Sequence, residues 1–332
     1  MANNIEYLND YVLNVEHTAN YWMVRTMGGD YFDDFVRNGF IAIGYDEIRL
    51  NELRCINLED HVAINQLKGR VAEIYHEAAR PGHIVSQLLR FCKKIRRGDV
   101  VILPGHSSYR LAICRVTGDV YEETNVRGRC SFLKRIPVEV LSLTSRLKLS
   151  PKAQLMFNSR HPISDIDGYA SYIDNMVHDF YTKGEETHLL LKVNTEDNVT
   201  ADQYTCLFDF LKLAEEYCME SGLDGKESDV VVKTQMESPG FVHYISKNKN
   251  ILAVLGALIL LVNGGGLKWG NFDLSTPGLI KSCSDFMDRR VDRTIRESMK
   301  AKLDSLKTDT PEDFQKAVIE LYKAQNENRE EY

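Results

Sequence analysis

Residues able to bind or carry charge are unevenly spread along this chain. Between Arg80 and Arg135 stand twelve Lys and Arg against four Asp and Glu, although the 332 residues together carry a net charge of −7. A basic segment inside an acidic chain points to a local anionic ligand, not to a general affinity for polyanions. The run GGDYFDDF holds three acids, Asp30, Asp33 and Asp34. Carboxylates are favoured at a helix start, so a solvated first turn is expected there and no metal site. No GxGxxG follows a strand, and GKS/GKT, HExxH and GxSxG are all missing. The seven cysteines are odd in number and contain no CxxC pair, and no zinc spacing can be built from them with the nine histidines. Reduced thiols in a reducing cytoplasm are the expectation.

Composition is that of a globular protein, 43% hydrophobic and 27% charged, and the length allows two or three domains. The N-terminus, MANNIEYLNDYVLNVEH, does not read as a secretory signal. Strands are expected at Tyr21–Val24, Phe40–Tyr45, Val100–Leu103, Tyr109–Val116 and around Arg135–Val140. A short helix is expected over Tyr31–Asn38, further helices over Leu58–Ala79, and one at about residues 83–95. Residues 145–185 read as a mixed connector. The strand HLLLKVNT, the helix Ala201–Glu220 and the strand DVVVKTQM follow in β-α-β order. Such a unit of about fifty residues is too small to bury much alone, so it must pack on something or oligomerise. Leu279–Leu306 reads as amphipathic helix, and Pro311 stands near the start of a last helix reaching about Ala324.

Across positions 21–140 the order of motifs is YWMVR, GG, FIAIGYDE, a helix with QLLRF, IRRGDVVILP, CRVTGDVYE and KRIPVEVL. This order resembles a PUA-like domain of the EVE type, as found in Mrr-type restriction proteins and related prokaryotic defence proteins. The resemblance covers about a third of the chain. It implies a small β-barrel with flanking helices that binds nucleic acid and holds a flipped or modified base. A base out of its stack needs an aromatic face and hydrogen bonds to its edge. Trp22, Tyr45 and Tyr109 are the candidate faces, and Arg25, His106, Ser107 and Ser108 the candidate polar contacts. Lys93, Lys94, Arg96, Arg97, Arg110, Arg127, Arg129, Lys134 and Arg135 are the candidates for phosphates. Mrr-type proteins would add a nuclease domain. Here its nearest trace, Asp229-Val-Val-Val-Lys233, lacks the middle acid of an ExK element, so no catalytic residues, metal or cofactor are expected.

The stretch ILAVLGALILLVNGGGLKWG begins with twelve consecutive apolar residues. As a helix, twelve residues span about 18 Å, short of a hydrocarbon core about 30 Å thick. Extension to Leu267 reaches the lower edge of a span, and Lys247, Lys249, Lys268 and Trp269 stand at its ends as interface residues do. The order SPG, apolar run, NGG and basic-aromatic pair resembles the membrane modules of some prokaryotic defence effectors. Ile251, Leu255, Gly256, Leu258, Val262, Asn263 and Trp269 are the candidates for membrane or oligomer contacts, with glycines permitting close packing.

The expected fold is α+β: a PUA-like β-barrel with flanking helices (1–145), a helical connector (146–187), a small βαβ module (188–240), and a short apolar, membrane-competent helix followed by amphipathic helices (241–332). The expected function is an oligonucleotide-sensing effector of antiviral defence. It would act as a homo-oligomeric, channel-like protein on the cytoplasmic side of a bacterial inner membrane, with a companion defence protein as a further partner. The alternative is a cytoplasmic specificity subunit that reads single-stranded nucleic acid or modified bases and recruits a separate nuclease.

Overall fold

The computed structural model describes residues 5, 8–126, 128–235, 240–263 and 278–330, with side chains of the last helix given as far as residue 324. The chain divides into two compact units, one of residues 18–177 and one of residues 1–17 together with 178–332. The continuous unit is therefore inserted into the discontinuous one, just after strand β1 (Leu13–Val15).

The inserted unit begins with β2 (Tyr21–Val24), α1 (Phe32–Asn38) and β3 (Phe40–Ile43). Helices α2 (Leu50–Cys55), α3 (His61–Ile74) and α4 (Pro81–Leu89) follow, and α4 continues into a π-helical turn, Arg90–Lys94. Then come β4 (Val100–Pro104), β5 (Arg110–Val116), β6 (Tyr121–Glu122) and the long β7 (Lys134–Ser145). With β8 (Ile163–Asp165), the strands form a curled half-barrel in the order β3-β7-β5-β4-β2-β8, with β6 on β7. A register shift between Ile113 and Cys114 marks an irregularity of the kind that bends a strand.

Alternation along the strands divides two cores. Trp22, Val24, Val101, Leu103, Ala112 and Cys114 face the helices α1 to α4. Tyr21, Met23, Val100, Ile102, Leu111 and Ile113 face the other way. That second face is covered by residues 146–177, which the sequence reading treated as the start of a helical connector. They hold α5 (Pro151–Gln154), strand β8 (Ile163–Asp165) and α6 (Ala170–Val177). Leu149, Ala153, Met156, Phe157, Ile166 and Ile173 pack on the sheet. Burial on both faces is why YWMV, FIAI and VVILP are unbroken apolar runs.

The other unit carries a five-stranded sheet of order β1-β9-β10-β12-β11. Its strands are β9 (Phe180–Lys183), β10 (Glu186–Val193), β11 (Val230–Gln235) and β12 (Gly240–Ser246), and α7 (Ala201–Glu220) joins β10 to β11. The expected βαβ module is thus modified. β10 and β11 run in the same direction, but β12 lies between them, antiparallel to both. A Thr200–Gln203 capping box starts α7 where the sequence places it.

The apolar run forms α8 (Lys249–Val262). Every residue from Ile251 to Leu260 is buried, in one cluster with sheet residues and with helices α7, α9 (Leu279–Arg290), α10 (Arg293–Ser305) and α11 (Glu312–Glu330). The membrane part of the expected fold is therefore unsupported, and Ile251, Leu255, Gly256, Leu258 and Val262 are buried within their own unit. A helix that is apolar all round is here packed all round by its own unit. Asn263 caps it and donates to Thr308 O at 3.4 Å. Trp269 and the glycines 264–266 lie outside the described residues. Among those described, no helix is long and apolar enough to cross a membrane.

Candidate nucleic-acid interface

One end of the half-barrel gathers three connections. The segment after β2 carries Arg25 to Tyr31, the β4–β5 loop carries Gly105 to Tyr109, and the segment after β7 starts at Arg146. The backbone binds them together. Arg25 N–H donates to Pro162 O at 2.8 Å, and Arg146 N–H donates to Tyr109 O at 2.9 Å. The Thr26 hydroxyl donates to Pro104 O at 2.5 Å. Gly29, at φ +114°, lies so close to the second loop that an added Cβ would stand 2.6 Å from His106 Cα. Met27, Ser107 and Ser108 adopt positive φ of 52° to 56°. Non-glycine residues pay of order 1 kcal/mol or more for such conformations, so tight packing of the two loops holds them there.

This end is both apolar and basic. Tyr109 and Met27 are each 57% exposed, and Leu147 is 65% exposed. Beneath them two guanidinium groups converge on Phe157. Arg25 Nη2 donates to Phe157 O at 2.8 Å and also to Ser159 O, with Nη1 3.4 Å from Ser108 Oγ. The Arg146 guanidinium carbon lies 5.3 Å from the Phe157 ring centroid, and its Nε donates to Gln154 Oε1 at 3.3 Å. Burial, and then the like charge of Arg146, push Arg25 below the ordinary arginine range. Other basic residues at this end have carboxylates nearby: Asp33 lies 3.4 Å from Arg110, and Asp30 lies 3.7 Å from the His106 ring. Among the described residues, neither Arg25 nor Arg146 has a carboxylate within 4 Å.

The remaining candidates lie elsewhere. Trp22 is buried, and its Nε1 donates to Asp99 Oδ2 at 2.7 Å. Asp99 also takes the N–H groups of Asn20 and Arg96. The indole is a core and hydrogen-bonding element, so its faces are not open to a base. Lys134 and Arg135 are buried too. Lys134 Nζ donates to Asp46 Oδ1 at 2.8 Å and Tyr45 O at 3.0 Å. Arg135 stacks 4.0 Å from the Phe40 ring centroid and donates to the carbonyls of Phe132 and Cys130. Both cations hold the fold together and offer nothing to phosphates.

Tyr45 is half-buried, edge-on to Tyr75 at 5.3 Å. It follows β3, whose Ile43 pairs with Lys134 at the first residue of β7, whereas Arg110 pairs with Ser145 at the last. Eleven residues of the curled strand β7, at most about 36 Å at 3.3 Å each, lie between these two pairings, so Tyr45 and Tyr109 stand towards opposite ends of β7 and do not wall one base pocket. Lys93 donates to Arg54 O, while Lys94, Arg96, Arg97 and Arg129 are exposed. Arg127 lies outside the described residues. Of the predicted contacts, the fold brings together Arg25, His106, Ser107, Ser108, Tyr109 and Arg110.

Sequence reasoning missed Arg146, because the basic count stopped at Arg135. The signal was present: residues 145–162 hold Arg146, Lys148, Lys152 and Arg160 and no Asp or Glu. Among the described residues, no three His, Cys, Asp or Glu side chains are grouped to hold a metal ion.

Residues 22–139 match a domain of unknown function (DUF8426). The match covers about a third of the chain, from β2 into β7. It includes Arg25 and Tyr109 and stops short of Arg146. No curated protein and no solved structure matches the chain.

Proposed function

We propose that residues 18–177 form a nucleic-acid-binding module whose contact surface is the end of the half-barrel carrying Arg25, Tyr109 and Arg146. The observation that carries this reading is the convergence of two guanidinium groups on Phe157 with no carboxylate of the described residues within 4 Å of either. Two like charges held together in a part-buried place favour an anion between them, and arginine suits phosphate oxygens because its planar fork presents paired donors. The exposed Tyr109 ring adds a face on which a base can stack. The resemblance to PUA-like domains supports the same class of ligand.

Of the two whole-chain readings, the specificity subunit is the better supported. The channel reading needs apolar surface on α8, and the core of its own unit already covers that helix. In this reading the chain holds a single-stranded oligonucleotide and presents it to a partner protein.

Fluorescence anisotropy of the full chain with labelled single-stranded oligonucleotides tests the module. The expected result is binding that weakens with salt. Each neutralised phosphate contributes about −0.7 to the slope of log K against log salt, so two to four contacts give a slope of roughly −1.4 to −2.8. Absence of salt-dependent binding to any DNA or RNA oligonucleotide overturns the proposal.

A further inference from the structure

The geometry points to a more specific ligand at this end: we infer that Arg25 and Arg146 form a site for a terminal phosphate monoester, so that the module binds the phosphorylated end of a strand in preference to its interior. This inference rests on the nucleic-acid reading and sharpens it.

The charge of the site favours a monoester. Two guanidinium groups bring two positive charges, and among the described residues no carboxylate lies within 4 Å of either. A phosphodiester inside a strand supplies one negative charge. A monoester at neutral pH supplies about 1.5 to 2, together with three strong acceptor oxygens. The monoester therefore matches the site, and the diester leaves one guanidinium unanswered.

The open donors favour it as well. A guanidinium has five N–H donors and accepts nothing. Arg146 commits its Nε to Gln154, which leaves its two terminal nitrogens for a ligand. Arg25 commits Nη2 to Phe157 O and Ser159 O and is thereby fixed in orientation. One arginine is anchored and the other lies on the Phe157 ring with its fork uncommitted. This arrangement surrounds a small group with several free oxygens better than it tracks a continuous backbone.

The position of Arg146 beside Tyr109 suits the end of a strand. Arg146 and Tyr109 are joined through their backbones, and Tyr109, Leu147 and Leu155 stand exposed at the same end. A phosphate held by the arginines would place the nucleoside that carries it among apolar surface, with the Tyr109 ring as its stacking partner. Lys148 and Arg160, exposed and on the same acid-free segment, add positive charge to it.

The test compares four versions of one single-stranded oligonucleotide, bound to the full chain: 5′-phosphorylated, 3′-phosphorylated, phosphorylated at both ends, and phosphorylated at neither. The expected result is at least tenfold tighter binding when one particular end carries phosphate, and the two single arms tell which end. That preference should shrink between pH 7.5 and pH 5.5, because the monoester takes up its second proton near pH 6. Arg146→Gln should abolish the preference while leaving residual salt-dependent binding. Tyr109→Ala should weaken all four oligonucleotides by a similar factor and leave their ratios unchanged, so it keeps the test alive if Arg146→Gln fails to fold. Equal, salt-dependent binding of all four overturns the end-recognition inference and leaves the binding module intact. Binding of none overturns both.

Discussion

Lys134 and Arg146 are both basic residues at the boundaries of β7, yet their environments give them opposite roles. The Lys134 ammonium is fully buried, between Asp46 Oδ1 and Tyr45 O. Removing the ammonium leaves the Tyr45 carbonyl and the Asp46 carboxylate, itself a quarter exposed, without their partner, at a cost of about 1–3 kcal/mol. Lys134→Ala is therefore expected to lower the unfolding free energy by that order, measured by denaturant titration. A salt-slope change without loss of stability would show that Lys134 contacts phosphate instead. Tyr109 predicts the reverse pattern. Its ring is 57% exposed, so Tyr109→Ala should leave stability within about 0.5 kcal/mol. It should weaken oligonucleotide binding by roughly 1–3 kcal/mol, the usual worth of one stacked base. The basic character of this region was legible in the sequence, whereas the sorting of cations into structural and ligand-facing was not. The difference between Lys134 and Arg146 is made by Asp46, eighty-eight positions away, and by Phe157, neither of which spacing along the chain can place. Trp22 shows the same limit, since its partner Asp99 lies seventy-seven positions away.

Elements were better marked than contacts. The strand Tyr21–Val24 and the helix Ala201–Glu220 stand where local pattern puts them, because an apolar run and a capping box are written in neighbouring residues. The stretch Leu279–Leu306 instead divides at Val291 and Asp292 into α9 and α10; the mixed charges around this break gave no periodic sign of it. The nature of α8 depended on what surrounds it, which its own apolar sequence cannot reveal. Gly256 makes the distinction testable. An added Cβ there would lie 2.6 Å from the Phe314 ring, so the glycine exists for close packing of α8 against α11. Gly256→Val is expected to destabilise by about 1–3 kcal/mol, as overpacking of a core does, with the loss read from thermal or denaturant unfolding. If stability were unchanged and only membrane association altered, the buried placement of α8 would be wrong. A second element-scale expectation concerns β10 and β12, whose His188 Nδ1 and His243 Nε2 meet at 3.0 Å in buried surroundings. Burial first, then the neighbouring His188 and Lys233, lower His243 to about 3. An unfolded histidine titrates near 6.5, so below that pH the unfolded chain binds the extra proton. The stability of this unit should therefore be full above pH 6.5 and fall as pH drops towards 3. His243→Gln should make the pH dependence of unfolding shallower between 6.5 and 4, and an unchanged slope would remove His243 as its source.

At the scale of the whole molecule, the chain builds one unit from two segments and inserts a complete second unit between them. Each has its own apolar core: residues of α7 to α11 and one sheet in the first, the two faces of the half-barrel in the second. The insertion was hidden in sequence because β1 is only three residues long and pairs with β9, which begins 165 residues after β1 ends. No local pattern announces such a pairing. A core that is complete within one stretch of chain should fold alone, so residues 18–177 expressed separately are expected to unfold cooperatively. They should also keep the oligonucleotide affinity of the full chain within a few-fold. The reciprocal excision is the stricter test. β1 runs parallel to β9, with Leu13 opposite Tyr181 and Val15 opposite Lys183. The chain therefore leaves at His17, beside Gly184, and returns at His178, the other end of β9. Six residues of extended strand, about 20 Å, separate these points. A direct join cannot reach, whereas a flexible Gly/Ser linker of about a dozen residues, with a root-mean-square span of about 17–21 Å, can. Residues 1–17 joined to 178–332 by that linker should retain the α8 core and unfold cooperatively, while a two-residue join should release β1 and lower the stability. Equal stability of the two joins would show that the β1–β9 pairing contributes nothing to holding the discontinuous unit together.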